Sequence, residues 1–222
     1  MGGAAFAVDP RLVPRVTLGE DVRHLVAGVA AAGANLASVS LAHPALAAPA
    51  ASLSPQLLAR AMAALNSHNA QIANRDVIAI ADFAQPSRQP RFYLVDVASG
   101  RVSSHLVAHG RGSDPGHTGW LEHFSNDQGS NATCAGAFRT DGFYVGAHGR
   151  SIRLSGLDTS NSNALGRGIV VHSAWYVSPG MARSPGVLGR SEGCFALSSA
   201  SLEEVMARLG PGHMIYADKV AA

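Results

Sequence analysis

A mostly β fold, with one helix before the strands and one near the C-terminus, is what this 222-residue sequence predicts. Three observations carry it. From Val77 onward, short runs rich in β-branched and aromatic residues are punctuated by Gly, Asn, Asp and Pro. No helical pattern separates those runs until about Ser199 to Leu209, which disfavours parallel βαβ winding. Ahead of the first run, Ser54-Pro55 opens a stretch with apolar residues at helical spacing. The expected form is a barrel- or sandwich-like antiparallel core.

Length and composition fit one domain. Hydrophobic residues make up 47% and charged residues 14%, enough apolar surface for a packed core. Seventeen basic residues stand against 15 acidic ones and are scattered singly, which excludes a phosphate-tracking surface and, with it, nucleic acid as a partner.

The first 47 residues read as an address. Arg15 and Arg23 precede the apolar run Leu25 to Ala34, and Ala45-Leu46-Ala47 supplies an AxA cleavage pattern. The reading is a signal peptide over residues 1–47, with export to the periplasm or cell envelope. Asn35, Ser38, Ser40 and His43-Pro44 interrupt the run, so stable membrane insertion after cleavage is not expected. The competing reading is an Ala-rich helix of the folded domain. Residues 48–75 then form a linker and the first helix, from about Pro55 to Asn69, with Ser54 as N-cap and Leu57, Leu58, Ala61, Met62 and Leu65 as its core stripe. The main domain occupies residues 76–222. Within it, Ser99-Gly100 between Val97 and Val102 marks a hairpin, and GAFRT and GFYVG read as separate strands.

The chemistry concentrates between Gly168 and Leu197. An apolar strand, Ile169 to Val171, delivers His172. A Gly/Pro/Ser-rich loop then returns to Arg190-Ser191-Glu192-Gly193-Cys194. A thiol nucleophile needs an imidazole within reach and backbone N–H groups aimed where an oxyanion forms. Gly193 frees the chain for φ values that let two amides converge, and a neighbouring His is expected to lower the Cys194 thiol pKa.

These motifs resemble the murein L,D-transpeptidase branch of the YkuD-type L,D-transpeptidases. His172-Ser173 and Ser191-Glu192-Gly193-Cys194 match that family's His-Ser/Gly, loop, Ser-x-Gly-Cys signature. Thr133-Cys134-Ala135-Gly136-Ala137-Phe138 looks like its Thr-Pro-x-Gly-x-Phe entry, with Cys in place of Pro, and VAHGRGS, FSN and GAHGRSIRLSGLD follow the branch in order. The resemblance covers roughly Arg91 to Lys219. It implies an L,D-transpeptidase-like β barrel or sandwich, and a cysteine acyltransferase that releases D-Ala from peptidoglycan stem peptides through a thioester. Cys194 becomes the nucleophile and His172 the general base and acid. Ser173 acts through its carbonyl, and the Gly193 and Cys194 amides form the oxyanion hole. No metal or organic cofactor is implied. Arg190, Ser191 and His148 are the candidates for substrate contact, Arg190 because a guanidinium holds a carboxylate bidentately.

Two departures stand out, Glu192 where many members have His and Ala196 where many have Arg. Arg190 therefore either binds substrate or pairs with Glu192. The same dyad with water as acceptor gives a hydrolase, and loss of the thiol's reactivity leaves a wall-binding module. Cys134 reads as structural and both cysteines as unpaired, against the alternative of a Cys134–Cys194 disulfide. His105 and His109 on a strand lie roughly 13 Å apart, too far to share one metal ion. His109 and His148 line the groove or satisfy turns. Trp120, Trp175 and Tyr176 form groove walls or core, and Gly110-Arg111-Gly112 lacks the helix a nucleotide loop requires.

Overall fold

The computed structural model describes residues 53–220. The signal-peptide reading at residues 1–47 and the first residues of the linker lie outside them. None of the described helices is long and apolar enough to cross a membrane.

The chain opens with α1 (Pro55–Ser67). The Ser54 side chain accepts the Leu57 amide and Pro55 needs no N–H partner, so the cap read from sequence is the cap that forms. The helix ends two residues earlier than expected, where His68 caps it and reaches Asp158 at 2.9 Å. Its buried stripe, Leu57, Ala61 and Leu65, packs on Ile78, Ile80, Tyr93, Val95 and Met214. Truncating one such Leu costs about 2–5 kcal/mol.

Eight strands follow: β1 (Val77–Asp82), β2 (Phe92–Asp96), β3 (Val102–His105), β4 (Gly136–Gly146), β5 (Gly149–Gly156), β6 (Val170–Ser173), β7 (Phe195–Leu197) and β8 (Met214–Asp218). Helices α2 (Pro179–Arg183) and α3 (Ser199–Arg208) flank β7. All eight strands belong to one sheet, in the order β3-β2-β1-β8-β4-β5-β6-β7. Strand β1 shows how two cores arise. Ala79 and Ala81 point into the cluster containing Phe92, Phe138, Phe195 and the α3 residues Leu202 and Val205, while Ile78 and Ile80 point to α1.

The mostly β architecture with a helix before and after agrees with the sequence reading. Three details differ. The core is not wholly antiparallel, because β1 pairs parallel with β8 and β6 with β7. A parallel pair needs a long crossover. Here the crossover from β6 to β7 is the Gly/Pro-rich loop with five-residue α2, too short to show as a helical pattern although Ser178-Pro179 repeats the Ser-Pro cap signal. The sheet also stays open as a ladder. Its two edges meet through single bridges, Ala108 to Ala196 and Gly110 to Ser191, made by the chain just beyond β3. Finally, GAFRT and GFYVG are one strand, because Asp141-Gly142 makes a register shift opposite β5 rather than a turn.

Candidate active site

Strands β6 and β7 set the site by alternation. Val171, Phe195 and Leu197 face the main core. His172 and Ala196, paired in register, therefore face the other way. Continuing that alternation one residue before β7 puts Cys194 on the same side as His172. Strand spacing and rise separate the two Cα atoms by roughly 8 Å, a gap an imidazole and a thiol can span. The 22-residue sequence separation is closed by a parallel ladder.

The His172 ring is held in one tautomer. Its Nδ1 lies 2.9 Å from the Ser173 carbonyl oxygen, which can only accept, so Nδ1 carries the proton and Nε2 keeps its lone pair. His172 is almost fully buried, and the ring of His148, at the exposed turn between β4 and β5, stacks on it with centroids 4.2 Å apart. The Cys194 thiol donates to the Gly168 carbonyl at 3.6 Å.

The loop before Cys194 is locked from three sides. Ser191 donates its hydroxyl to the Cys194 carbonyl at 2.7 Å and accepts the Gly193 amide at 3.2 Å. Its hydroxyl is thus taken up within the loop, where a substrate contact was expected. Gly193 has φ +117°, and a Cβ there would lie 2.7 Å from the Ala132 carbonyl oxygen and 2.8 Å from Ile169. Gly110 abuts it directly, since its own Cβ would meet the Gly193 backbone at 2.8 Å and the Asn131 carbonyl at 2.3 Å. Arg190 donates one guanidinium nitrogen to the carbonyls of Asp114 and Pro115, so it braces a neighbouring loop. It does not pair with Glu192, which bonds Arg111 at 3.0 Å.

The chain matches the L,D-transpeptidase catalytic domain model over residues 49–217, more than half its length. It belongs to the L,D-transpeptidase family. No match among the curated proteins was found. Solved structures similar to this L,D-transpeptidase domain include an L,D-transpeptidase from Mycobacterium smegmatis, at 17% identity and TM-score 0.40, covering 64% of this chain and 58% of that one. Another is L,D-transpeptidase 3 from Mycobacterium tuberculosis in complex with a faropenem-derived adduct, at 16% identity and TM-score 0.40, covering 65% and 60%. A third, an L,D-transpeptidase from Xylanimonas cellulosilytica, shows 16% identity and TM-score 0.35 over 72% and 69%. The chain spans less than two thirds of the two mycobacterial structures.

Electrostatics in this transpeptidase domain run against one expectation. Burial pushes the Cys194 thiol up from its ordinary 9.0, outweighing the Val170 backbone and Arg167, and Glu192 pushes it the same way as burial. Burial pushes His172 down from 6.5, with His148 adding to the effect and the Ser173 carbonyl opposing it. The resting pair is therefore neutral thiol and neutral imidazole. The lowered thiol pKa expected from a neighbouring His does not arise, because desolvation acts on both partners against charge.

Several site residues carried no sequence signal. Arg167 sends its guanidinium to the carbonyls of Ser125 and Ala132 and acts on the Cys194 thiol. Fully buried Arg91 donates to His109 Nδ1 at 2.7 Å, and His109 Nε2 then donates to Asp114 at 3.2 Å. His109 neither lines a groove nor satisfies a turn; its carbonyl accepts the Ser191 amide at 2.9 Å. The Arg91–His109–Asp114 chain thus lies under the Arg190–Cys194 loop. In the sequence Gly110 is part of a lone GxG, a pattern that does not point to its contact with Gly193. Cys134 is buried in the main core, and both cysteines are free thiols. Trp175 is 86% exposed and Trp120 44%, so neither is core. Among the described residues no three His, Cys, Asp or Glu side chains converge as metal ligands.

Proposed function

We propose that this domain is a cysteine acyltransferase acting on peptidoglycan stem peptides, with Cys194 as nucleophile and His172 as base. One observation carries the reading. His172 pairs in register with Ala196, two residues after Cys194, and its Nδ1 is tied to the Ser173 carbonyl with Nε2 left to take a proton, which supports the pairing of the two. As the Cys194 Sγ attacks the carbonyl carbon of the third stem residue, its proton passes to His172 Nε2 and the carbonyl oxygen gains the charge. The Cys194 amide stabilises that oxyanion, and the Gly193 amide joins it on releasing the Ser191 hydroxyl. Collapse breaks the peptide bond, and His172 returns the proton to the departing D-Ala amine. The thioester then passes to an acceptor amine. Arg190 keeps guanidinium N–H groups beyond the nitrogen that braces Asp114 and Pro115, and these serve the substrate carboxylate. No cofactor enters these steps. The enzyme acts after export, in the periplasm or cell envelope.

Incubation with a disaccharide-tetrapeptide, followed by mass spectrometry for loss of D-Ala, tests the reading. Cys194→Ala abolishes acyl-enzyme formation, and His172→Ala slows it by roughly 10² to 10⁴. Turnover by Cys194→Ala at the wild-type rate sinks the proposal. Products that never incorporate an added amine assign the same dyad to hydrolysis.

A further inference from the structure

We propose that His148 is a positioning residue for the His172 base, carried over the site by the outer half of the β4–β5 hairpin. It deepens the reading above and rests on it. Strand β4 pairs with β8 only from Gly136 to Arg139, and β5 pairs with β6 only from Ser151 to Arg153. Beyond the register shift at Thr140/Gly142, Gly142 to Tyr144 pair with Arg153 to Ser151, the stretch of β5 that β6 also holds, and only the tip from Val145 to Arg150 pairs with nothing but itself. The tip is a short two-stranded arm with Val145 exposed, and at its base Phe143 is exposed and Arg153 is seated over the Tyr144 ring at 4.8 Å. A lone two-stranded hairpin is marginally stable, so its tip is placed by what it touches. What the tip touches is the His172 ring, with His148 at 4.2 Å and an interplanar angle of 22°.

That stack does two things to the base. The Ser173 carbonyl fixes one edge of the imidazole but leaves the ring free to tilt about that bond. A ring lying flat on one face removes the tilt and keeps water off that face, so Nε2 stays aimed where the thiol needs it. The stack also couples charge. Among the described residues the titratable group against His172 is His148 from the arm; Ser151 of β5 and Ala196 of β7 are its uncharged register partners. At this distance the His148 ring disfavours charge on His172, and neutral His172 is the form that accepts the thiol proton.

His148→Ala and His148→Phe separate these roles in the full chain. Acylation of Cys194 by a carbapenem is followed across pH, and the His172 imidazole is titrated by NMR in each variant. His148→Ala should slow acylation at saturating carbapenem by about tenfold or more with little change in apparent affinity. His148→Phe keeps the stack without its charge. It should restore most of the rate and move the acid limb and the NMR midpoint of His172 upward. A wild-type rate in His148→Ala overturns the proposal. So does an unmoved His172 midpoint in His148→Phe, which would leave His148 a substrate contact. The NMR arm needs no turnover. A wild-type protein that never acylates therefore sinks the acyltransferase reading, while the placement of His148 is still decided by the titration.

Discussion

At the scale of single residues, the resting site holds its proton on sulfur. A thiol donating to Gly168 and an imidazole stripped of solvent both favour neutral forms, so ionisation waits for substrate. The acid limb of acylation should accordingly fall below the 6.5 of free imidazole, since His172 is useful only unprotonated and its folded pKa is depressed. Alkylation of Cys194 without substrate should keep rising with pH past the ordinary thiol value of 9.0, read by iodoacetamide labelling and peptide mapping. A plateau near neutral pH would show a preformed thiolate instead. Glu192 adds to the upward push on the thiol, and its partner Arg111 is largely exposed. Glu192→Gln should therefore speed alkylation at fixed pH. Stability should change by no more than about 1 kcal/mol, as for other exposed ion pairs.

Among the elements, the Arg190–Cys194 loop is set by backbone packed on backbone. A Cβ at Gly110 would collide with the Gly193 and Asn131 backbone, and one at Gly193 with the Ala132 carbonyl and Ile169. Gly110→Ala is expected to push the Arg190–Cys194 segment away, costing about 1–3 kcal/mol and most of the acylation rate. Gly100→Ala, at φ +70° in the β2–β3 turn with open space around it, provides the contrast. It should cost about 1 kcal/mol of strain and leave acylation intact. Thermal melts beside carbapenem acylation distinguish the two, and equal activity losses would deny the loop its dependence on Gly110. The sequence marked Gly193 plainly because it precedes Cys194. It could not mark Gly110, whose partner lies more than eighty positions away and is reached only by the bridge to Ser191.

Across the whole molecule, stability and site share one buried network. Burial, with the Arg91 guanidinium alongside, pushes His109 down to about 4, against the pull of Asp114. Burial likewise pushes Arg91 down to about 9. Burial raises the Asp114 carboxyl, but the Thr118 and Gly119 amides outweigh it and hold the group below 3.8. Because the folded pKa of His109 lies below its unfolded 6.5, its contribution is complete above that value and is lost as pH falls towards 4. The loss is on the order of 3 kcal/mol if the whole difference is realised. Melting temperature should thus drop between pH 6.5 and 4, and His109→Gln should flatten the drop while lowering stability at neutral pH. An equally steep drop in His109→Gln would assign acid sensitivity elsewhere.

The sequence by itself determined what depends on near neighbours along the chain. Ser54-Pro55 fixes the start of α1, the apolar runs of β1 and β6 define strands, and Ser-x-Gly-Cys after a strand-borne His marks the family and the dyad proposed for it. Each is a local preference or an ordered motif, legible without knowing what packs where. Only the tertiary structure decided the rest. The β6/β7 register chose the face shared by His172 and Cys194, and the curl of the sheet brought Gly110 onto Gly193. Desolvation then reversed the expected thiol ionisation, Arg111 rather than Arg190 took Glu192, and the arm set His148 on His172. These depend on distances between segments far apart in the chain and on how much water the finished fold excludes, and neither is written in any one stretch of residues.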